Sequence, residues 1–500
     1  MIGTRMNSIW QNLTLSTLSF QQWRSASYLH RFLSPLRRWR QSSFMLRWGD
    51  LLGAVLVSLV FAIAPFVSDD KSSLAVLLTA CAGFWVLLTV SDGDTGNDRH
   101  TANELQTELL SPQGFWQTLA NPGRSSPLAT PIHFLVVLYW GVSAAATALS
   151  PVKRAALTGF SKLTLYLILF ALMARVLRSP RVRSWVIGIY LHAALLVSSY
   201  GIQQKISGVA ALATWVDPTS PSAKEPRVYS YLGNPNLLAA YLLPAIALSL
   251  VAVFAWRRWG PKLLAATMLV VNATCLYYTG SRGGWIGFAV MAFVLLALLF
   301  HWWNVSLPRF WRTLALPTGL GLIAAVIVLA VLVVEPLRDR VSSIFVGRND
   351  SSNNFRINVW GAVVEMIKDR PILGIGPGNV AFNSIYPRYQ RPRFSALSAY
   401  SIPLEIAVET GIIGLTCFAW LLLVTLNLGW SRLQQLRAVR NQDGFWLIGA
   451  IATLLGLLSH GFVDTVWYRP QVNTLWWLMI ALIASYYTLP AETQTALEDV

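Results

Sequence analysis

The chain reads as an all-α polytopic membrane protein of about twelve transmembrane helices, with a helical cap on one membrane face. Three observations carry this reading. Hydrophobic residues make up 55% and charged residues 12% of the sequence, and the mean hydropathy is +0.51. A soluble chain of 500 residues could not hide that much apolar surface from water, so the bilayer must act as solvent for most of it. The apolar residues also gather into runs of spanning length, ~17–25 residues, parted by short basic or glycine- and proline-rich turns. Finally, the stretch from Glu335 to Gly414 lies between two such runs and is too long and too polar for a connector, so it reads as a folded cap that leads into the next span.

In chain order, residues 1–48 form a basic amphipathic arm in which Arg24, Arg31, Arg37, Arg38, Arg40 and Arg47 alternate with Trp23, Tyr28, Phe32 and Trp39. No apolar core with a small-residue cleavage site follows at signal-peptide length, so this is a retained arm on the inner membrane surface or a positive-inside anchor. Transmembrane helices one to nine occupy 49–334, with spans at 50–67, 73–91, 132–149, 156–177, 184–203, 236–256, 262–279, 285–303 and 313–334. Within them, 93–131 is a polar insert without apolar periodicity and reads as a flexible cytoplasmic loop. The cap covers 335–402, and the last three spans, 403–427, 444–464 and 472–489, lie within 403–489 before a cytoplasmic tail at 490–500. No internal period marks a repeat architecture.

Arginine and lysine set the orientation. The arm and the turns holding Arg175, Arg178, Arg181 and Arg183, then Arg257, Arg258 and Lys262, then Arg309 and Arg312, then Arg432, Arg437 and Arg440 all fall on one side if every span crosses. Both termini are then expected to be cytoplasmic, in a protein that crosses its membrane many times. The net charge of +17 is dispersed in these clusters, which argues for a lipid bilayer and against nucleic acid as partner. Cys81, Cys275 and Cys417 each lie in an apolar run with no CxxC spacing, so neither a disulfide framework nor a thiolate metal site is expected.

The cap's excess of arginine calls for an anion. Arg338, Arg340, Arg348, Arg356, Lys368, Arg370, Arg388, Arg391 and Arg393 outnumber the acids there. In YSYLGNPN, Asn234 can cap and Pro235 open a helix whose N-terminus faces the same side; the simpler reading is a well-capped helix. Arg282, in the SRGG turn, either snorkels to lipid phosphates or grips a ligand's phosphate or carboxylate with its planar fork. Glu405 and Glu409 share one face of the span that leaves the cap, where costly carboxylates are paired or functional. Pairing with cap arginines is the plainer alternative. Asp464 and His460 form a second polar spot at that depth, and Lys162 is the one lysine or arginine expected well inside a span.

These residues carry a resemblance. RNDSSNNFRINVW, GIGPGN and LEIAVETGIIG, before a closing set of three spans, resemble the O-antigen ligase and polymerase-like superfamily of membrane proteins. More closely, YSYLGNPNLLAAYL, SRGGW, SIFVGR, DSSNNFRINVW, GIGPGN and LSAYSIPLEIAVE are similar to cyanobacterial IctB-type inorganic carbon transporters. The superfamily implies a helical, glycosyltransferase C-like fold. Its ligases transfer a glycan from a polyprenyl pyrophosphate carrier at the outer face without a metal or other cofactor, with essential arginines that correspond here to Arg282 and Arg356. Where the ligases have a histidine at the end of the cap, this chain has Tyr400, and a phenol with an ordinary pKa near ~10 cannot replace imidazole as a base at neutral pH without a large shift.

The expected site therefore has Arg282, Arg356 and Tyr400 in catalytic positions. Arg282, Arg356, Arg348 and Asn234 are the anion-binding set, and Glu405, Glu409 and Asp464 the supporting carboxylates. The closer resemblance implies a role in uptake or accumulation of bicarbonate, a small anion. The superfamily implies glycosyl transfer from a polyprenyl pyrophosphate-linked glycan, and a third reading is a non-catalytic subunit or regulator of another transporter.

Overall fold

The computed structural model describes residues 9–15, 43, 48–67, 73–91, 130–208, 227–306, scattered positions between 308 and 342, and 347–487. Its elements are α1 (Gly49–Ile63), α2 (Ser73–Ser91), α3 (Pro131–Ala148), α4 (Lys153–Val176), α5 (Pro180–Ser207), α6 (Pro235–Ala255), α7 (Trp259–Tyr278) and α8 (Arg282–Asn304). The cap contributes α9 (Ser351–Asp369) and α10 (Asn379–Ile385), and the chain closes with α11 (Ile402–Ala438), α12 (Gly444–Gly461) and α13 (Pro470–Ala484). Among the described residues, ten helices are long and apolar enough to cross a membrane, with Pro470–Ala484 a shorter apolar one. The expected span at 313–334 lies largely outside the described residues, as do most of the arm, the 93–131 insert and the tail.

Two helices form the centre. In α6 and α12, 83% of the spanning window is buried inside the protein, which matches their apolar character on every face. Small residues let their neighbours approach. A Cβ on Gly287 of α8 would sit 2.8 Å from the carbonyl oxygen of Gly456 in α12, so these backbones are in contact and only glycine fits. Around this centre α3 packs on α11, α4 on α13 and α2, and α5 on α7 and α1.

The cap has a core of its own, in which Val359, Val363, Met366, Phe382 and Tyr386 close around Val408 of α11. What ties cap to bundle is a break in α11. At Gly411 the backbone leaves the helix (φ 66°, ψ −168°), and the PILGIGPG loop threads past the gap. Ile412 N–H donates to the Pro371 carbonyl (2.8 Å), while Ile375 and Gly376 N–H donate to the carbonyls of Val408 and Glu409 (both 2.9 Å). Loop backbone thus occupies groups that an unbroken helix would pair internally. The glycines follow from this: a Cβ on Gly374 (φ +66°) would lie 2.4 Å from the Val408 carbonyl oxygen, and one on Gly159 of α4 would lie 2.0 Å from that of Pro377.

At the end of the bundle away from the cap, charges are paired off. Arg175 Nε meets Asp50 at 2.6 Å; Arg183 donates to Asp443 (3.3 Å), to the Tyr486 hydroxyl (2.6 Å) and to the Leu177 carbonyl (3.0 Å). Lys162 is exposed on the flank of α4.

Gly374→Ala is expected to lower the thermal unfolding temperature in detergent, at a cost of about 1–3 kcal/mol for the strained φ and the clash. Gly83→Ala, in α2 with nothing within 4 Å of the added carbon, is the control and should be near neutral. Equal effects of the two would contradict the threaded-loop account.

Candidate functional site

Three helices begin at one place. Asn234 precedes α6 and its side-chain oxygen accepts from the N–H of Asn236 (2.8 Å) and Leu237 (3.3 Å); Pro235 then opens the helix. Ser281 precedes α8, its hydroxyl accepting from Gly284 N–H at 3.1 Å. Asp350 precedes α9, its Oδ1 accepting from Asn353 N–H at 2.8 Å. Side chains link these starts. Arg282, the first residue of α8, donates from Nη2 to Asp350 Oδ1 at 2.9 Å. Arg356 of α9 donates to the Ser352 hydroxyl (2.6 Å), to the Val463 carbonyl (2.7 Å) and, more distantly, to Asp464 Oδ2 (3.5 Å). Asp464 Oδ2 also accepts from Asn236 Nδ2 at 2.6 Å, which returns the chain of contacts to α6.

The locus is electropositive for two reasons. Each helix start directs unsatisfied N–H groups and the positive end of its dipole there. In addition, Arg282, Arg356 and Arg227 converge, the last bonded to the Thr279 carbonyl (2.8 Å) and Asn236 Oδ1 (2.9 Å). The two arginines flanking Asp350 are each about one-sixth exposed, so their forks reach solvent at the cap face. Partial burial pushes the Asp350 carboxyl up, but the hydrogen bonds from Arg282 and Asn353 N–H and the charges of Arg282 and Arg356 outweigh it and hold the carboxyl below its ordinary range.

Arg282, Arg356 and Asp464 thus belong to one cluster. Tyr400 sits at its rim with φ +51°, edge-on to Phe355, and its carbonyl accepts from Trp360 Nε1. Burial, reinforced by the negative charge of Asp464 and the neighbouring Tyr468, holds its phenol well above the usual range against the pull of Arg356. The remaining expected residues are placed as follows. Asn234 spends its oxygen on the helix cap, the simpler reading, and Asn236 is the asparagine in the polar cluster. Arg282 pairs with Asp350 rather than with Glu405 or Glu409. Glu409 accepts the Gly378 N–H at 2.7 Å, so it fixes the threaded loop. Arg348 is exposed in the turn before α9. Arg227 and Asn236 escape the sequence reading, although Asn236 lies inside the NPN motif.

Asp350→Asn keeps a capping side chain but removes the charge. Because the folded pKa is depressed, the ion pair stabilises above the unfolded value of ~3.9 and is lost as pH falls through the lower folded value. The gap in melting temperature between wild type and D350N should be constant above about pH 5 and close below ~pH 3; a gap independent of pH would contradict the pairing.

Residues 267–419 match the family model described as O-Antigen ligase. No curated protein matches the chain. The matched region holds Arg282, Arg356, Tyr400 and both glutamates, whereas Arg227, Asn236 and Asp464 lie outside it. The similarity thus covers the stretch that holds α8, the cap and the first turns of α11.

Proposed function

We propose that this protein transfers a glycan from a polyprenyl pyrophosphate carrier to an acceptor hydroxyl, with the cap on the outer membrane face. The observation that carries it is the meeting of three capped helix starts with Arg282 and Arg356, a site built for a multiply charged oxygen anion. The acceptor oxygen attacks the anomeric carbon, and the bond from that carbon to the pyrophosphate oxygen breaks with its electron pair left on the pyrophosphate. Guanidinium forks and fixed N–H dipoles meet the charge that develops on this leaving group. Asp350 and Asp464 accept from Arg282 and Arg356, so binding would exchange carboxylate for phosphate on these forks.

Bicarbonate transport, the reading implied by the closer resemblance, would need a polar passage to the opposite face. Lys162 lies on the exposed flank of α4, and the arginines Arg175 and Arg183 at the far end are held in ion pairs, which favours transfer at one face.

In liposomes that report both glycan transfer and labelled bicarbonate flux, wild type should transfer glycan. Arg282→Lys and Arg282→Ala should each lose about 10²-fold or more in kcat, since a point ammonium cannot make the forked contact. Bicarbonate flux without transfer would overturn the proposal. Orientation has its own test, because the native cysteines are buried and silent. In intact cells an impermeant thiol reagent should label Asn383→Cys in the cap and spare Asn441→Cys between α11 and α12; the reverse pattern inverts the topology.

A further inference from the structure

Arg356 is held unevenly. Its Nε and Nη1 make short bonds, to the Val463 carbonyl (2.7 Å) and the Ser352 hydroxyl (2.6 Å), whereas Nη2 reaches Asp464 Oδ2 only at 3.5 Å. A charge-assisted N–H···O bond closes to ~2.7–2.9 Å when nothing opposes it. Asp464 is held back instead, because the same Oδ2 accepts from Asn236 Nδ2 at 2.6 Å. Asn236 in turn accepts from Arg227 Nη2 at 2.9 Å, and Arg227 Nε is fixed to the Thr279 carbonyl at 2.8 Å.

The amide of Asn236 can face only one way in this setting. A guanidinium can only donate and a carboxylate can only accept, so Oδ1 points to Arg227 and Nδ2 to Asp464. A flipped amide would set oxygen against carboxylate and N–H against guanidinium. Arg227 is itself anchored, since the neighbouring Val228 N–H donates to the Tyr278 carbonyl (3.3 Å) beside Thr279 at the end of α7. Asp464 is 6% exposed, so water offers it little in place of that amide donor.

We infer that Asn236, oriented by Arg227, is a positioning residue that sets the affinity of the site for the donor's diphosphate by holding Asp464 away from Arg356; this rests on the glycosyl-transfer reading. Without the Asn236 N–H, Asp464 closes on Arg356 Nη2 and competes with a phosphate oxygen for it. With that N–H in place, the carboxylate keeps a partner when phosphate takes Nη2, so the exchange leaves no buried charge unpaired. Two side chains that touch no reacting atom thereby decide how readily the fork opens.

The test titrates geranylgeranyl pyrophosphate into the purified full-length wild type, Asn236→Ala, Asp464→Asn and the double variant. N236A should weaken Kd roughly tenfold, the worth of one hydrogen bond to a charged group. In the D464N background there is no carboxylate to release, and adding N236A should change Kd by less than about twofold. In glycan transfer, N236A should raise the donor KM by the same factor while kcat changes by less than about twofold; partial misfolding would instead lower kcat and leave KM alone. An unchanged Kd in N236A, or an equal loss with and without the Asp464 charge, would overturn the inference while leaving glycosyl transfer standing. Failure of wild type to bind the diphosphate would overturn both. Should N236A no longer melt cooperatively, Asn236→Leu, which keeps the side-chain volume, takes its place with the same expected and overturning results.

Discussion

Asp350 Oδ1 accepts two hydrogen bonds, one from the backbone at the start of α9 and one from the guanidinium that starts α8. That shared oxygen fixes the cap against the bundle at the point where both helices present positive dipole ends. Without an acid there, two helix starts and two arginines would repel one another in a partly buried place, and the third start, at α6, would add to the strain. Asp464 performs the matching task between Asn236 and Arg356. The cluster is thus held together by electrostatics: the carboxylates balance the charge of the arginines and of the helix starts.

The second constraint is mechanical. The break at Gly411 and the loop threaded into it hold the first turns of α11, which carry Glu405 and Glu409, at a set height beneath the cap. Glu409 accepts an N–H from that loop, so one of the two membrane carboxylates is part of the scaffold. Glycines at 159, 374, 376, 378 and 411 are then read as places where backbone meets backbone or side chain too closely for a Cβ.

Spans were legible because hydropathy and length suffice for them: the first eight and last three expected runs all appear as helices. Caps were legible too, since Asn234 before Pro235 and Asp350 before SSNNF are local signals. Contacts between distant segments were not. Nothing in the order of residues says that Arg282 reaches Asp350 rather than Glu405, because that choice depends on how α8, α9 and α11 are arranged. Arg227 sat before a capped helix with no spacing to mark it, and its bonds to Thr279 and Asn236 arise only when α6 and α7 pack together. The GIGPGN motif carried a resemblance but no visible task, since its role is to fill a gap in a helix far along the chain.

The central claim is that these helix starts and arginines form one site for a lipid diphosphate, and direct binding tests it most simply. A short-chain polyprenyl pyrophosphate titrated into purified protein should bind saturably at one site, weaken as salt is raised, and resist displacement by bicarbonate. Binding should be lost when Arg282 and Arg356 are both replaced by alanine in a protein that still melts cooperatively. Unchanged binding in that double variant, or ready displacement by bicarbonate, would contradict the account.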